Sequence, residues 1–521
     1  MKKQMFLMAF SAIALISSSC QIGAGDVEAG SDSGSDLSTT FAEDSTDYIW
    51  SASDVVNVQL STSSASADGA GVSVSGTIVT INAPGTYKIT GTLSGGQILV
   101  NTSTDGIVRL LLNGVTVSNA SSAPVYVKSA TKVIVNLVEG TTNTLTDTHS
   151  DTSTEPNAAL FSNANMTIFG AGSLSVKGTY ADGISSDDGL LLKSGVVTVS
   201  AADDAVRGKD YLIVEGGTVS ATGKTGHGLK SDNEDSGTGY VLVEGGTITS
   251  VSTSGDALHG VNQVVIKGGV LSLTSSSSQG IKGGSLVEIS GGNTTVVSSH
   301  EGIESSTIIV SGGTSIINAS NDAINATYGT VNGGTESNDG SYFYMKGGIL
   351  VANGSDAVDS NGNIQMTGGT LIVNGPMSGI EEGVDCNGTF NVNGGVLISS
   401  GSSSQMTKAM STSSTQVSLY IKSSSAISST SLLHIEDASG NDVITFKPKN
   451  GGYYFHASSS VLTKGSSCKI YSGGSYSGGS FIGGTSGYGL CTGGTYSSSA
   501  ASLKSSPTLS SSSTVNTITF W

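Results

Sequence analysis

Charge is scarce in this sequence: only 12% of its 521 residues are Asp, Glu, Lys or Arg. What charge there is leans acidic, 40 Asp and Glu against 22 Lys and Arg, a formal −18 that speaks against nucleic-acid phosphate as the partner. Such a surface suits a secreted protein that binds cations, and equally serves plain solubility. Aromatics are sparse at 6%, so few rings are available to stack on a flat ligand. Four cysteines without a Cys-x-x-Cys pair, and no His-rich ligand spacing, argue against a zinc site. The apolar run from Met5 to Ile16 is too short to cross a membrane as a helix.

What the chain has instead is glycine, 73 residues of it, and a phrase repeated nine times. Each phrase is a polar residue, then Gly or Ala, then a branched aliphatic. The starts are Asp182, Asp204, His227, Asp256, Gln279, Glu301, Asp322, Asp356 and Glu382, so the basic period is about 22 residues with three insertions. Behind the phrases come eight Gly-Gly pairs, from Gly216-Gly217 to Gly394-Gly395, with Ser194-Gly195 in the first repeat. Two and four residues before each pair stand apolar side chains such as Val214 and Leu212, the period-two mark of a strand with one buried face. Three short strands per repeat and no helical pattern predict an all-β chain, a right-handed parallel β-helix solenoid, with a small C-terminal β region. Its core should hold Ile184, Val206, Leu229, Leu258, Ile281, Ile303, Ile324, Val358 and Val384.

The domain reading follows the composition. Lys2, Lys3 and the apolar run make residues 1–20 a secretory signal, and Ser17-Ser18-Ser19-Cys20 reads as a lipoprotein box with Cys20 lipid-modified. The competing reading is an ordinary signal peptide with an incidental cysteine. Residues 21–47, poor in apolar side chains, read as a flexible tether, so the protein is expected to be exported and anchored to a bacterial membrane, at the cell surface, by lipid alone. Residues 48–401 are the β-helix, with less regular strands before Asp182 and insertions at Asp232–Gly239 and from Thr327 to about Ser341. Residues 402–521 form the C-terminal β region, rich in Gly-Gly; export permits disulfides, and one between Cys468 and Cys491, which the sequence leaves open, would close a loop there.

Several ordered strings carry a resemblance: Pro156-Asn157-Ala158-Ala159, Ala181-Asp182-Gly183-Ile184, Arg207-Gly208-Lys209-Asp210, Lys230-Ser231-Asp232-Asn233-Glu234-Asp235-Ser236-Gly237, Glu301-Gly302-Ile303-Glu304 and Asn374-Gly375-Pro376. Over about residues 84–401 the chain resembles the bacterial carbohydrate-binding proteins built on a polysaccharide-lyase-like right-handed β-helix. The resemblance implies binding of cellulose-like or acidic, pectin-like polysaccharide, with calcium, and no catalytic residues. His227 and Gln279 depart from it, standing where a repeat more usually carries an acid.

Alternation along the strand predicts that the first residue of each phrase points outward when the aliphatic two residues later points in. Asp182, Asp204, Asp256, Glu301, Asp322 and Asp356 would then stack as an acidic column, with Asp187 and Asp232 beside it in the turns. Like charges so close call for a cation, and calcium takes carboxylates in loose geometry; these eight residues are the expected metal ligands. The alternative is that the acids hold turn amides. Three residues on, Arg207, Lys230, His259 and Lys282 form a second column suited to the carboxylates of a uronate polymer, or else to salt bridges with the first. Tyr180, Tyr211 and Tyr240 are the nearest aromatic candidates for stacking on sugar. A calcium-dependent polysaccharide lyase, with Lys230 or Lys282 as base, is the runner-up function, and a structural adhesin or spacer the third.

Overall fold

The computed structural model describes residues 43–150, 155–329, 337–483 and 487–520. The signal, Cys20 and most of the tether lie outside them, as does part of the second insertion. No α-helix is found among the described residues, and most strands pair in parallel over long sheets.

The repeat translates directly into strand pairing. Asp182–Ser186, Gly189–Leu192 and Val196–Ala201 follow one another in the chain. They pair in parallel with Val206–Gly208, Tyr211–Val214 and Thr218–Gly223, so one repeat adds one strand to each of three ladders. Register is held because a slip by one residue would turn every apolar side chain to the outside. Ile184, Val206, Leu229, Leu258, Ile281, Ile303, Ile324 and Val358 are successive partners, and Val384 joins them through an isolated bridge. All nine are buried, each such side chain contributing about 1.5–3 kcal/mol relative to exposure. A second buried ladder runs from Leu190 through Leu212, Val241, Val264, Val287, Ile308 and Phe343.

The Gly-Gly pairs mark the turn into the third ladder. The second glycine takes a left-handed conformation, φ +74° at Gly292, and a Cβ there would lie 2.6 Å from the carbonyl of Gly269 in the preceding repeat. Both the turn and the stacking of turn on turn therefore require glycine.

One outward column of the third ladder changes character along its length. Thr198, Ser220, Thr249, Ser272 and Thr295 are successive partners, and the column then continues as Ile316, Val351, Ile372 and Ile398. The apolar end is covered. Val351, Ile372 and Ile398 belong to a second core with Leu419, Leu433, Ile435, Ile444, Phe446 and Ile470 of the C-terminal region. That region holds Ser418–Ile427, paired antiparallel with Gly452–Ser458 and parallel with Val515–Phe520, and a six-stranded antiparallel sheet.

Two expectations are corrected here. Cys468 and Cys491 are free and buried. The strand of Lys469–Ser477 and that of Gly489–Thr492 are separated by Leu433–Glu436 and Asp442–Lys447 in the sheet. Three strand spacings, roughly 14 Å, far exceed what a disulfide spans. The tether also ends earlier than composition suggests. Asp47 is buried and paired with Lys132 at 2.7 Å, Glu43 pairs with Lys193 at 2.7 Å, and Arg109 donates to the carbonyls of Thr46 and Asp47.

Candidate functional site

The two predicted columns exist, but at different depths. The second is a register column of the first ladder: Ser185, Arg207, Lys230, His259, Lys282, Glu304, Asn325 and Asp359 are successive partners. From Arg207 to Asp359 it lies partly exposed. The first column is not outward: Asp182, Asp204, Asp256, Asp322 and Glu382 are buried. Its residues stand where the turn meets the strand, and their side chains fold onto the amides of the next repeat. Asp182 accepts the N–H of Asp204 at 3.0 Å, Asp204 that of His227 at 2.6 Å, and Asp256 that of Gln279 at 3.0 Å. His227 continues the series with its ring, Nδ1 accepting the N–H of Asp256 at 2.9 Å. Histidine thus replaces aspartate as an amide acceptor, which explains the departure seen in the sequence.

In the basic half, acids and bases neutralise one another. Arg207 Nε donates to both oxygens of Asp232 at 3.1 and 3.0 Å, and its Nη1 lies 3.6 Å from Asp187. Lys230 Nζ reaches Asp204 at 2.9 Å and Asp232 at 3.2 Å, and Lys282 meets Glu304 at 2.8 Å. Burial alone would lower the Lys230 amine, but Asp204 and Asp232 outweigh it and raise its pKa. Lys282 behaves alike, with Glu304 outweighing burial. Asp232 goes the other way, held low by Arg207 and Lys230 against its burial. The expected metal ligands Asp187, Asp204 and Asp232 are therefore committed to bases. Those three carboxylates have little left to offer a cation.

His227, Asp256 and His259 come within 4.8 Å of one another through single ligand atoms. Their capacity is used internally: Asp256 receives the Ser278 hydroxyl at 2.6 Å and His259 Nδ1 at 2.7 Å, and the two imidazoles stack at 4.4 Å. Burial, then the His259 charge, lowers the pKa of His227. Of the aromatic candidates, Tyr211 and Tyr240 are buried and stacked on each other at 5.7 Å, which removes them as sugar platforms; Tyr180 is exposed.

The acidic half is different. Glu301 still has amide donors, Asn325 Nδ2 at 3.1 Å and Gln279 Nε2 at 3.3 Å. Asp322 and Asp356 are register partners, and so are Asn325 and Asp359, three residues on along the same two strands. Among the described residues no Lys or Arg ion-pairs with Asp322, Asp356 or Asp359. Asp322 is only 7% exposed and makes no side-chain hydrogen bond there. Asn325, beside it, points a buried Oδ1 that has no hydrogen-bond partner. Burial, then the charges of Asp359 and Glu301, pushes the Asp322 carboxyl up to about 8. Burial with Asp359 and Asp322 takes Asp356 to about 9, burial with Asp385 takes Asp359 to about 7, and burial with Glu304 takes Glu301 to about 7. Asp182, at the far end, rises to about 8 through burial and Asp204, though Arg207 opposes the shift. Asn325 and Asp359 were not among the expected ligands; the signal that could have found them is their place three residues after Asp322 and Asp356, the spacing of the second column.

A family described as carbohydrate-binding domain-containing protein matches residues 75–342, more than half of the chain, and the chain belongs to that family. A carbohydrate-binding domain-containing protein of Acetivibrio thermocellus is 39% identical over 136 residues, 25% of this chain and 48% of that one. The chain thus spans about half the length of this curated relative. A solved structure described as the polysaccharide lyase-like protein from C. thermocellum, gadolinium derivative, shows 32% identity over 45% of this chain and 96% of that one, with a TM-score of 0.43.

Proposed function

We propose that this protein binds an acidic polysaccharide along the exposed second column, with calcium held at the acidic half between Glu301 and Asp359. The observation that carries the reading is Asp322, a buried carboxylate without a donor, set among Glu301, Asp356 and Asp359 and beside the unsatisfied carbonyl oxygen of Asn325. Carboxylate and amide oxygens crowded together are the hard donors calcium takes, and a cation would offset the burial and, after it, the mutual repulsion that raise their pKa values. Calcium with an open side can bridge to the carboxylate of a uronate, while neutral glucan has no such group. The three ladders suit this as a right-handed parallel β-helix, whose stacked repeats present one surface column as a continuous track.

The lyase reading needs a neutral amine as base. Lys230 and Lys282 are held protonated by their carboxylate partners, so binding is the better-supported function. Export with lipid attachment at Cys20 completes the proposal, since a lipid anchor would present the track at a surface; Cys20→Ser should release soluble protein or leave unprocessed precursor, and a variant still membrane-bound after normal processing would remove the anchor.

The test is calorimetric titration with calcium, followed by pull-down on pectin and on cellulose with and without chelator. Pectin binding that weakens on chelation, while cellulose binding does not, supports the reading. Equal binding to both polymers in chelator would leave the acidic half a structural feature.

A further inference from the structure

The C-terminal region does more than cover the apolar end of the third ladder. Its loop after Asp442–Lys447 is pinned against the repeats: Lys449 N–H donates to Asn374 Oδ1 at 3.0 Å, and Asn450 Nδ2 donates to the Gly375 carbonyl at 3.0 Å. Between this loop and the ladder lies a pocket of about 290 Å³, walled by Asn353, Ser355, Pro376, Lys449 and Asn450. That is the small end of ligand-sized pockets, room for a single sugar unit rather than a chain.

The pocket has one charged group, and that group is unlike the other lysines and arginine of the surface column. Lys449 is half-buried, and among the described residues no carboxylate pairs with it; its amine lies 5.5 Å from the centre of the Tyr488 ring. Burial alone accounts for its lowered pKa, with no neighbouring acid to oppose the shift. A desolvated ammonium gains most from an anion that brings hydrogen-bond acceptors with its charge. Asn353 cannot serve as a contact, because Asn374 Nδ2 donates to its Oδ1 and its own amide donates to Asn318 Oδ1 at 3.1 Å. Ser355, Asn450 and the Lys449 amine remain on the wall.

Position gives the anion its identity. Ser355 is the residue before Asp356, and its N–H donates to the carbonyl of Asn321, the residue before Asp322, at 2.9 Å. The pocket wall and the acidic pair are thus consecutive residues on neighbouring strands. A polymer held at the acidic half would therefore pass beside the pocket wall.

We propose that this pocket is a separate subsite, contributed by the C-terminal region, that takes the carboxylate of one uronate unit on Lys449. It rests on the acidic-polysaccharide reading for the kind of sugar, while the contact at Lys449 itself needs no calcium. The full chain is tested by amine labelling of Lys449, read by mass spectrometry, with a uronate trisaccharide, cellotriose or acetate present, all in chelator. Labelling slowed by the uronate in proportion to its occupancy, and not by cellotriose or by acetate at equal concentration, is the expected result. Lys449→Met should weaken the uronate trisaccharide about tenfold, Lys449→Arg less, with calcium affinity unchanged. Unaltered labelling, or equal slowing by cellotriose or acetate, overturns the subsite. The two readings fail separately. Calcium-dependent pectin binding with Lys449 unprotected removes the subsite alone; protection of Lys449 without calcium-dependent pectin binding removes the calcium track alone.

Discussion

Asp204 joins a backbone amide of the next repeat to a surface lysine: Oδ1 accepts the N–H of His227 at 2.6 Å, and Oδ2 meets Lys230 Nζ at 2.9 Å. Both oxygens are spent, so Asp204 is a structural acid. Asp204→Ala should lower unfolding stability by about 1–3 kcal/mol, the cost of a buried donor left unpaired, read from urea denaturation. Calcium affinity should stay as in the unaltered chain, because the proposed calcium site lies in the other half.

The opposite pattern is expected at Asp322 and Asp356. Asp322→Asn or Asp356→Asn should weaken calcium by about tenfold, measured by calorimetry. Without calcium the same changes should stabilise the fold, since each removes a carboxylate from a crowd that has no base. Asp356 accepts the Glu382 N–H at 3.3 Å, a bond the Asn oxygen can keep; a variant that loses stability in chelator would show that the charge itself is paired.

The pH dependence follows with its sign. Asp322 and Asp356 titrate at about 8 and about 9 in the fold, against an ordinary 3.8. Between pH ~4 and ~9 the folded chain therefore holds more protons than the unfolded chain, and stability falls as pH rises through that window. Asp232 and Asp256, lowered from 3.8, act in the opposite sense, but only where the pH falls through their own depressed pKa values. In chelator the melting temperature should decline from pH 5 to pH 9. Saturating calcium, or the two Asn variants together, should lessen the decline, with Glu301, Asp359 and Asp182 (raised to about 7, about 7 and about 8) keeping part of it in the Asn variants.

Gly292 and Ile303 test the ladders themselves. Gly292→Ala forces a side chain onto φ +74° and into the Gly269 carbonyl, so a loss of more than about 1 kcal/mol is expected. Ile303→Ala opens a cavity in a fully buried stack and should cost about 2–5 kcal/mol. Both are read from denaturation midpoints, and Ile281→Asp, which buries an unpartnered charge, should exceed either.

Cys386, Cys468 and Cys491 should resist thiol reagents in the folded chain and react on unfolding without reductant. Unfolding that frees fewer of these thiols would mean a disulfide had formed.

The inner ladders could be read from residues alone. A repeat of about 22 places Ile281 and Ile303 one strand apart, and period-two alternation says which face is buried. The Gly-Gly pairs were equally plain, because only glycine satisfies their turn and stacking. The same alternation misled for Asp182, Asp204 and Asp256, since it holds within a strand and these residues sit at its entrance, where a side chain turns toward whichever amide lacks a partner. Pairing was hidden for a related reason: Arg207 and Asp232 are 25 residues apart, and only closure of one repeat on the next brings them to 3.0 Å. The change from Thr295 to Ile316, Val351 and Ile372 was visible as residues, but its meaning required the register that aligns them and the C-terminal core that covers them. The arrival of Lys449 at the pocket had no sequence signal, because hydrogen bonds between distant segments put it there, through Asn374 and Gly375. Local periodicity therefore determined what is buried along each strand, while charge neutralisation and the meeting of the two regions depended on long-range closure that no local pattern encodes.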